Sequence, residues 1–575
     1  MKKTLTALIL AASVFSSSAS AYAEAIEAPA EELTLEEAAA GFFDAVMESS
    51  PVNAHFSYAL PGSYELEYID PLGYFYEENA DYLEMLYTLT DELELVDTSS
   101  LDAKDRKVYT WLSDFAEDEL SVYELPDYYP TLSPVVGILT TVDTLITEYT
   151  IFTEGDIENY IILLKDVPRF LGEVVKELDY QEGIGFVPSR YEYEQLLDRR
   201  EEMCSAEDHV YYEAFERNLS ESGIDEAVRG EALGRVEKVI AEEVVPAYSA
   251  FFDDMAERSK SADRTRGLCD YLQGKTYYAA LAKENTGTDM TPEELAGYLD
   301  KNIEADYAAL VSAYSKLGFG DDPENIALPA DTAEKALDQL REYCAENMPE
   351  IDLPGYTLSY LPEALQVEGN LAYYVNAPLD LPDFNVIRVN GAEIDEDDTF
   401  TLWTTMAHEG YPGHLYQYQY FLQESLRYPV ETILGSIGTS EGWAFYVERL
   451  ALKWAGTDDA LADAAWYNET LGMALMCRVD IGVNYEGWKT RDIERFLRPY
   501  YGRLDSDVLD EFYDSVASSP GIYLPYGVGY YKTRDLFEAI RPNYISDEAM
   551  YEAYLNLGSM PFTLLEFYLG ADGSL

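Results

Sequence analysis

Basic residues are scarce in this chain. Of 575 residues only 38 are Lys or Arg, against 109 Asp or Glu, and the formal net charge is −71. That shortage argues against a nucleic-acid binder, because a phosphate backbone is repelled and no basic stripe is present to hold it. An anionic membrane surface is a poor partner for the same reason. Cysteine is rarer still. Cys204, Cys269, Cys344 and Cys477 lie far apart and form no Cys-x-x-Cys pair, which excludes a structural zinc site built from thiolates. Beyond the N-terminal segment no stretch reaches about 18 uncharged apolar residues, the length of a membrane-spanning helix. There is no internal repeat and no long linker. Hydrophobic residues are not in short supply: 47% of the chain is hydrophobic and 14% aromatic, which excludes a disordered acidic tail.

Residues 1–23 read as a secretory signal peptide. Lys2 and Lys3 supply the positive start, Leu5 to Phe15 the short apolar run, and Ala21-Tyr22-Ala23 a small-x-small cleavage site. The expectation is an exported, bacterial-type secreted protein without a transmembrane segment, starting at Glu24. No Cys stands at the cleavage site, so lipid attachment there is not expected. Residues 24–33 form an acidic lead-in, and 34–575 a single helical domain. Export permits disulfides, and four cysteines allow three pairings; a chain this long does not need them for stability. Pairing and oligomeric state stay open.

Helical signals dominate. Thr34 and Glu37 make a capping box, and Thr291-Pro292-Glu293-Glu294 makes a clearer one. Leu295, Leu299, Ile303, Tyr307, Leu310, Tyr314 and Leu317 then recur at helical spacing up to Gly318. Similar patterns cover 157–178, 226–258 and 330–346. One segment differs: Phe384 to Asn390 alternates like a strand and ends at Gly391. The expected fold is mainly α, with a small β-sheet just before the segment that carries the chemistry.

That segment holds two of the four histidines. Met406-Ala407-His408-Glu409-Gly410-Tyr411-Pro412-Gly413-His414 resembles the His-Glu-x-x-His helix of zinc peptidases, where two imidazoles bind the metal and the Glu is the general base. The spacing here is six rather than four. On an unbroken helix six residues advance about 600°, and the two rings diverge. Pro412 cannot donate the helical hydrogen bond, and Gly413 is free in its backbone angles. A helix bulged at Tyr411–Gly413 is therefore expected to return His414 toward His408. A third ligand should be a carboxylate. Glu441 and Glu448, in Ser440-Glu441-Gly442-Trp443-Ala444-Phe445-Tyr446-Val447-Glu448, are seven apart and share a helix face. Either could bind metal while the other orients an imidazole. His55 and His209 receive no role.

These motifs resemble domain-of-unknown-function family 885, a bacterial family similar to the gluzincin zinc peptidases. The family's His-Glu-x-x-Pro-Gly-His is matched by His408, Glu409, Pro412, Gly413 and His414, with Gln417 following, and its Glu-Gly-Trp-Ala by Glu441 to Ala444, with Glu448 after it. A block of Arg-x-x-Asp-x-Gly-x-His followed by Gly-Trp is matched by Arg478, Asp480, Gly482, Gly487 and Trp488, but its His is Asn484 here. The family's Pro-Gly-Gln, then Tyr-x-x-Gly, appears as Pro520-Gly521-Ile522, then Tyr526 to Gly529. Weaker similarity covers nearly all of the mature chain. The resemblance favours Glu441 as third ligand and implies a large helical body around a central cleft. Asn484 and Ile522 put family contacts to substrate in doubt.

The expected function is an exported zinc metallopeptidase acting on short peptides. One Zn²⁺ is held by His408, His414 and Glu441. Glu409 is the base, and Tyr526 is the oxyanion donor, with Tyr523, Tyr530 and Tyr531 as rivals. Glu448, Asp480 and Asn484 are candidates for support or substrate contact. Lys532 and Arg534 are candidates for a C-terminal carboxylate, although pairing with surplus acids is the stronger expectation for both. The 384–390 strand could pair with an extended substrate. The net charge favours cationic or neutral peptides. A zinc-dependent hydrolase of a non-peptide amide, or a peptide-binding protein with impaired catalysis, are the alternatives. Endo- versus exopeptidase action and side-chain preference are not legible.

Overall fold

The computed structural model describes residues 33–59, 68–73, 75–319, 323, 326, 328–366, 370–395 and 398–570, without the side chains of 75–80 and 364. The expected signal peptide and nearly all of the acidic lead-in lie outside these residues. The fold is mainly helical with one three-stranded sheet. Among the described residues no helix is long and apolar enough to cross a membrane, and all four cysteines are free thiols.

Both expected capping boxes form: Thr34 with Glu37, and Thr291 with Glu294. The second opens α1 (Pro292–Tyr314). The 330–346 pattern becomes the helix Ala333–Asn347, and 157–178 lies within Glu154–Ile184. The 226–258 run is helical throughout but widens to a π-type turn at Ile240–Val244. Pro246 just beyond it lacks the N–H that a regular turn needs.

The strands β1 (Thr357–Tyr360), β2 (Ala372–Val375) and β3 (Val386–Val389) pair in the order β1-β3-β2, the first pair parallel and the second antiparallel. The strand read from the sequence is thus the central one. Both its edges are occupied, so it cannot take up a substrate strand; β2 is an edge.

Around the sheet run α2 (Thr399–Glu409), α3 (His414–Tyr420), α4 (Ile437–Trp454), α5 (Asp459–Ile481) and α6 (Leu524–Ile540). α1 packs along α5, α4 along α6, and α2 against α4. Buried apolar side chains fall into two clusters. One unites these helices with the N-terminal ones; the other is built within residues 52–255, chiefly by Ile138–Thr147, Glu154–Ile184, Val210–Glu221 and the 226–258 run. The sheet contributes to the polar layer between them. Ser359, Arg388 and Tyr373 form one cross-strand row. Buried Arg388 bonds Glu148 and Glu221, each at 2.9 Å; Tyr373 donates to Glu148 at 2.7 Å; and Ser359 donates to Glu221 at 2.5 Å. A buried cation needs such partners, since desolvating it alone is prohibitive.

Candidate metal centre

The Pro-Gly segment does more than bulge a helix. α2 stops at Glu409, Gly410 leaves helical angles with φ −103° and ψ −101°, and α3 begins afresh at His414. The expected bulge is a complete break. Gly410 and Gly413 together allow it. A Cβ at Gly413 would lie 1.8 Å from the His408 carbonyl oxygen, and one at Gly410 would lie 2.3 Å from Leu337. Trp443 fixes the break from outside by donating its indole N–H to the Pro412 carbonyl at 3.0 Å.

The break turns the two imidazoles toward each other, with ring centroids 4.7 Å apart and planes at 81°. Glu441 reaches both: Oε2 is 3.2 Å from His408 Nε2, and Oε1 is 3.6 Å from His414 Nε2. One ligand atom from each of the three residues lies within 4.8 Å of the others. A tetrahedral zinc with bonds of about 2.1 Å sets its ligand atoms about 3.4 Å apart, so two imidazoles and a carboxylate at these separations fit the ion in both chemistry and size.

The two candidate carboxylates take different places. Glu448 meets the far side of His408, its Oε1 2.8 Å from Nδ1. A proton held on Nδ1 by that contact leaves the Nε2 lone pair facing the other ligands. Ser440 Oγ lies 3.4 Å from His414 Nδ1. Glu409 takes a third position, beside the triad and against the sheet. Its Oε2 accepts the backbone N–H of Tyr374 on the outer edge of β2 at 2.8 Å, and its Oε1 is 4.0 Å from His408 Nε2.

Burial and charge act together on these groups. Burial opposes a charged His408, but hydrogen bonds with Glu441 and Glu448 outweigh it and raise its pKa well above the usual value. Burial also pushes against a charged Glu441, yet the neighbouring His414 and His408 hold it well below the carboxylate range. Glu448 is raised to about 7, chiefly by burial, and Glu409 is raised by burial against the pull of both histidines. Tyr526, stacked over His408 at 6.5 Å between centroids, is raised first by the Glu441 charge and then by burial, so its phenol keeps its proton.

Glycine places Tyr526 there. α4 and α6 touch backbone to backbone: a Cβ on Gly442 would lie 2.5 Å from the Gly529 carbonyl carbon, and one on Gly529 would lie 2.2 Å from the Gly438 oxygen. Glu441 adjoins the first glycine, and Tyr526 precedes the second by one turn.

Asp480 and Asn484 form a buried brace rather than part of the triad. Asp480 accepts from Tyr278 Oη and from the Gly521 N–H, both at 2.7 Å. Asn484 accepts from the Leu268 N–H at 3.2 Å and donates to the Val516 carbonyl at 3.1 Å. Burial raises Asp480 to about 7. The brace holds the 520–523 loop that leads into α6. Lys532 pairs with Glu566, and Arg534 bonds Asp535 and Asn302, each at 2.7 Å; neither lines the cavity beside the triad. Tyr374, Ser440 and Trp443 are contributors that sequence reasoning missed. Tyr374 acts through its backbone and leaves no sequence signal, whereas Ser440 and Trp443 flank Glu441 in the same motif.

The model of a bacterial family described as proteins of unknown function (DUF885) matches residues 75–567. Among solved structures, a protein of Colwellia psychrerythraea provisionally described as a lipoprotein superposes with a TM-score of 0.77 at 16% identity, covering 94% of this chain and 100% of that one. A protein of Shewanella oneidensis, provisionally described as a lipoprotein of unknown function, gives 0.60 at 14% identity, covering 93% of this chain and 99% of that one. Both show the fold alone. A Bacillus anthracis protein provisionally described as an oligoendopeptidase F reaches only 0.36 at 14% identity, covering 95% of this chain and 96% of that one, too loose a likeness to carry an argument. No curated protein matches the chain.

Proposed function

The chain belongs to the DUF885 family of bacterial proteins, whose description names no reaction, and we propose from the site itself that it is an exported zinc metallopeptidase acting on short peptides. The observation that carries this reading is Glu409. A zinc-binding protein needs the triad only; a further acid, held beside it by the Tyr374 N–H and 4.0 Å from a ligand imidazole, is what hydrolysis needs.

His408, His414 and Glu441 would hold the ion. Zinc bound by two His and one carboxylate supplies Lewis acidity and lowers the pKa of a water to about 7. Glu409 takes the proton of the attacking water and passes it to the departing amine. Tyr526 keeps its phenolic proton and donates to the oxyanion that develops on the carbonyl. Glu448 orients His408, and Ser440 lies beside His414. The −71 charge of the chain steers cationic and neutral peptides inward over acidic ones. The N-terminal signal pattern, and the description of two proteins of like fold as lipoproteins, support a place outside the cytoplasm.

Asn484 does not favour a loss of catalysis. Its side chain is engaged in the brace and is not part of the triad.

The test is mass spectrometry of a short-peptide pool incubated with the zinc-loaded mature protein and, separately, with Glu409→Gln. Cleavage is expected from the first. The variant should lose about 10²–10⁴-fold in turnover while keeping one zinc per chain by elemental analysis. An intact pool after incubation with zinc-loaded wild type overturns the reading.

A further inference from the structure

The break after Glu409 separates the base from a ligand. Glu409 ends α2 and His414 begins α3, so no continuous helix fixes the carboxylate of the one against the imidazole of the other. A path of side chains closes around the break instead. The Tyr374 N–H donates to Glu409 Oε2 at 2.8 Å, and the phenol of the same residue donates to Asn385 Oδ1 at 2.6 Å. That oxygen also accepts from Gln419 Nε2 at 3.1 Å. Gln419 lies on α3, five residues after His414. The path therefore runs from the Glu409 carboxylate through β2 and Asn385 to the helix that carries His414.

Its links are anchored and buried. Asn385 directly precedes β3, and its carbonyl accepts the Thr357 N–H of β1 at 2.8 Å. Its Nδ2 donates to the Pro382 carbonyl at 3.3 Å, and Gln419 Nε2 donates to the same carbonyl at 2.8 Å. Asn385 and Gln419 are 2% and 1% exposed. Two other bonds meet α3 nearby, from the Tyr416 N–H to the Gly410 carbonyl and from Tyr418 Oη to the Ala377 carbonyl, each at 3.2 Å; neither ends on Tyr374 or Glu409. Apolar side chains could fill this space but would not fix a register, because hydrophobic contact is non-directional. A bonded pair of buried amides specifies one arrangement.

We propose that Asn385, Gln419 and the Tyr374 phenol are positioning residues, which set where the Glu409 carboxylate stands against His414 and so against the water that it deprotonates. The proposal rests on the peptidase reading above and adds the residues that serve its base.

The experiment compares the zinc-loaded mature chain with Tyr374→Phe, Gln419→Met and the double variant, each checked by circular dichroism and zinc content. On a peptide that the wild type cleaves, kcat should fall by at least about tenfold in each single variant, since a small misplacement of a reacting group is costly. KM should stay within about twofold, because the base acts on the chemical step. The double variant should lose no more than about twofold beyond the worse single one, as both cut the same path, whereas unrelated packing defects would multiply. Tyr374→Phe removes one oxygen atom and decides the matter alone if Gln419→Met does not fold. Amide hydrogen exchange, followed by mass spectrometry, reads the Tyr374 N–H without any turnover. It should quicken by at least about tenfold at β2 in both variants and stay at the wild-type rate at β3. Wild-type kcat in the variants, or losses that multiply in the double variant, overturns the proposal and leaves the peptidase intact. If the wild type cuts no peptide, the peptidase reading fails first. Exchange at β2 then decides the brace: faster exchange in the variants supports it, and an unchanged rate overturns it.

Discussion

The two hydrophobic cores share the four histidines evenly and use them in opposite ways. In the core built within residues 52–255, His55 lies flat on Tyr149 with ring centroids 4.0 Å apart, and His209 caps the helix Val210–Glu221 by accepting the Tyr211 N–H. Burial dominates both. It lowers His55, and it pulls His209 down to about 4 despite Asp143 nearby. In the other core His408 is also largely enclosed, but two carboxylates contact it and its pKa moves the other way. Burial alone therefore does not set the direction in which a histidine's pKa moves; the nearness of its carboxylates does, Asp156 standing 3.8 Å from His55 where Glu448 stands 2.8 Å from His408.

The sharpest way to break this contrast is to remove one histidine from each core. His408→Ala should reduce bound zinc from one per chain to near zero and abolish cleavage, whereas His209→Asn, which retains a capping side chain, should keep full zinc by elemental analysis. Zinc loss in the second variant would show that the site depends on both cores.

A smaller effect separates their glycines. Gly442→Ala forces a Cβ into the backbone of α6 and should destabilise the protein by about 1–3 kcal/mol in denaturant titration, with weaker zinc retention. Gly172→Ala, in the helix Glu154–Ile184 with nothing within 4 Å of the new Cβ, should stabilise by about 0.5–1 kcal/mol.

A third contrast is in pH dependence. His209 is depressed in the folded state, so the unfolded chain binds more protons between about pH 6.5 and 4. Stability from this residue is full above its unfolded pKa and falls as the pH drops toward 4. Thermal melts of wild type should therefore decline more steeply over that window than those of His209→Asn. Parallel curves would mean that His209 titrates normally.

The sequence made some of this readable and hid the rest for physical reasons. Helix starts are local, so Thr34 and Thr291 announced their capping boxes, and Pro412 with Gly413 announced a disturbed helix. The extent of that break was not readable, because it depends on Leu337 and Trp443 packing around Gly410 and Pro412. Spacing alone left Glu441 and Glu448 equivalent. Their division of labour is a matter of which side of one imidazole each meets. The alternation at 384–390 marked a strand but not its neighbours, and its place between two others was decided by pairing with residues up to 29 positions away. Trp111, which lines the cavity beside His414 and Glu441, stands 300 positions before Tyr411 in the chain, and no local pattern ties it to the site. Lys532 and Arg534 stood out only because cations are rare, and their side chains lie against acids.

The glycine contacts bear on how this protein can change over generations. Glycine has no conservative replacement, since every substitution adds at least a Cβ. At Gly413, Gly442 and Gly529 that atom would fall 1.8–2.5 Å from existing backbone. A ligand position, by contrast, tolerates some exchange among metal-binding side chains. A screen of random variants for loss of zinc should therefore recover these three glycines as readily as the histidines, although none has a side-chain atom with which to touch the ion. The heritable definition of the centre lies as much in the volume kept clear around it as in the groups that would bind.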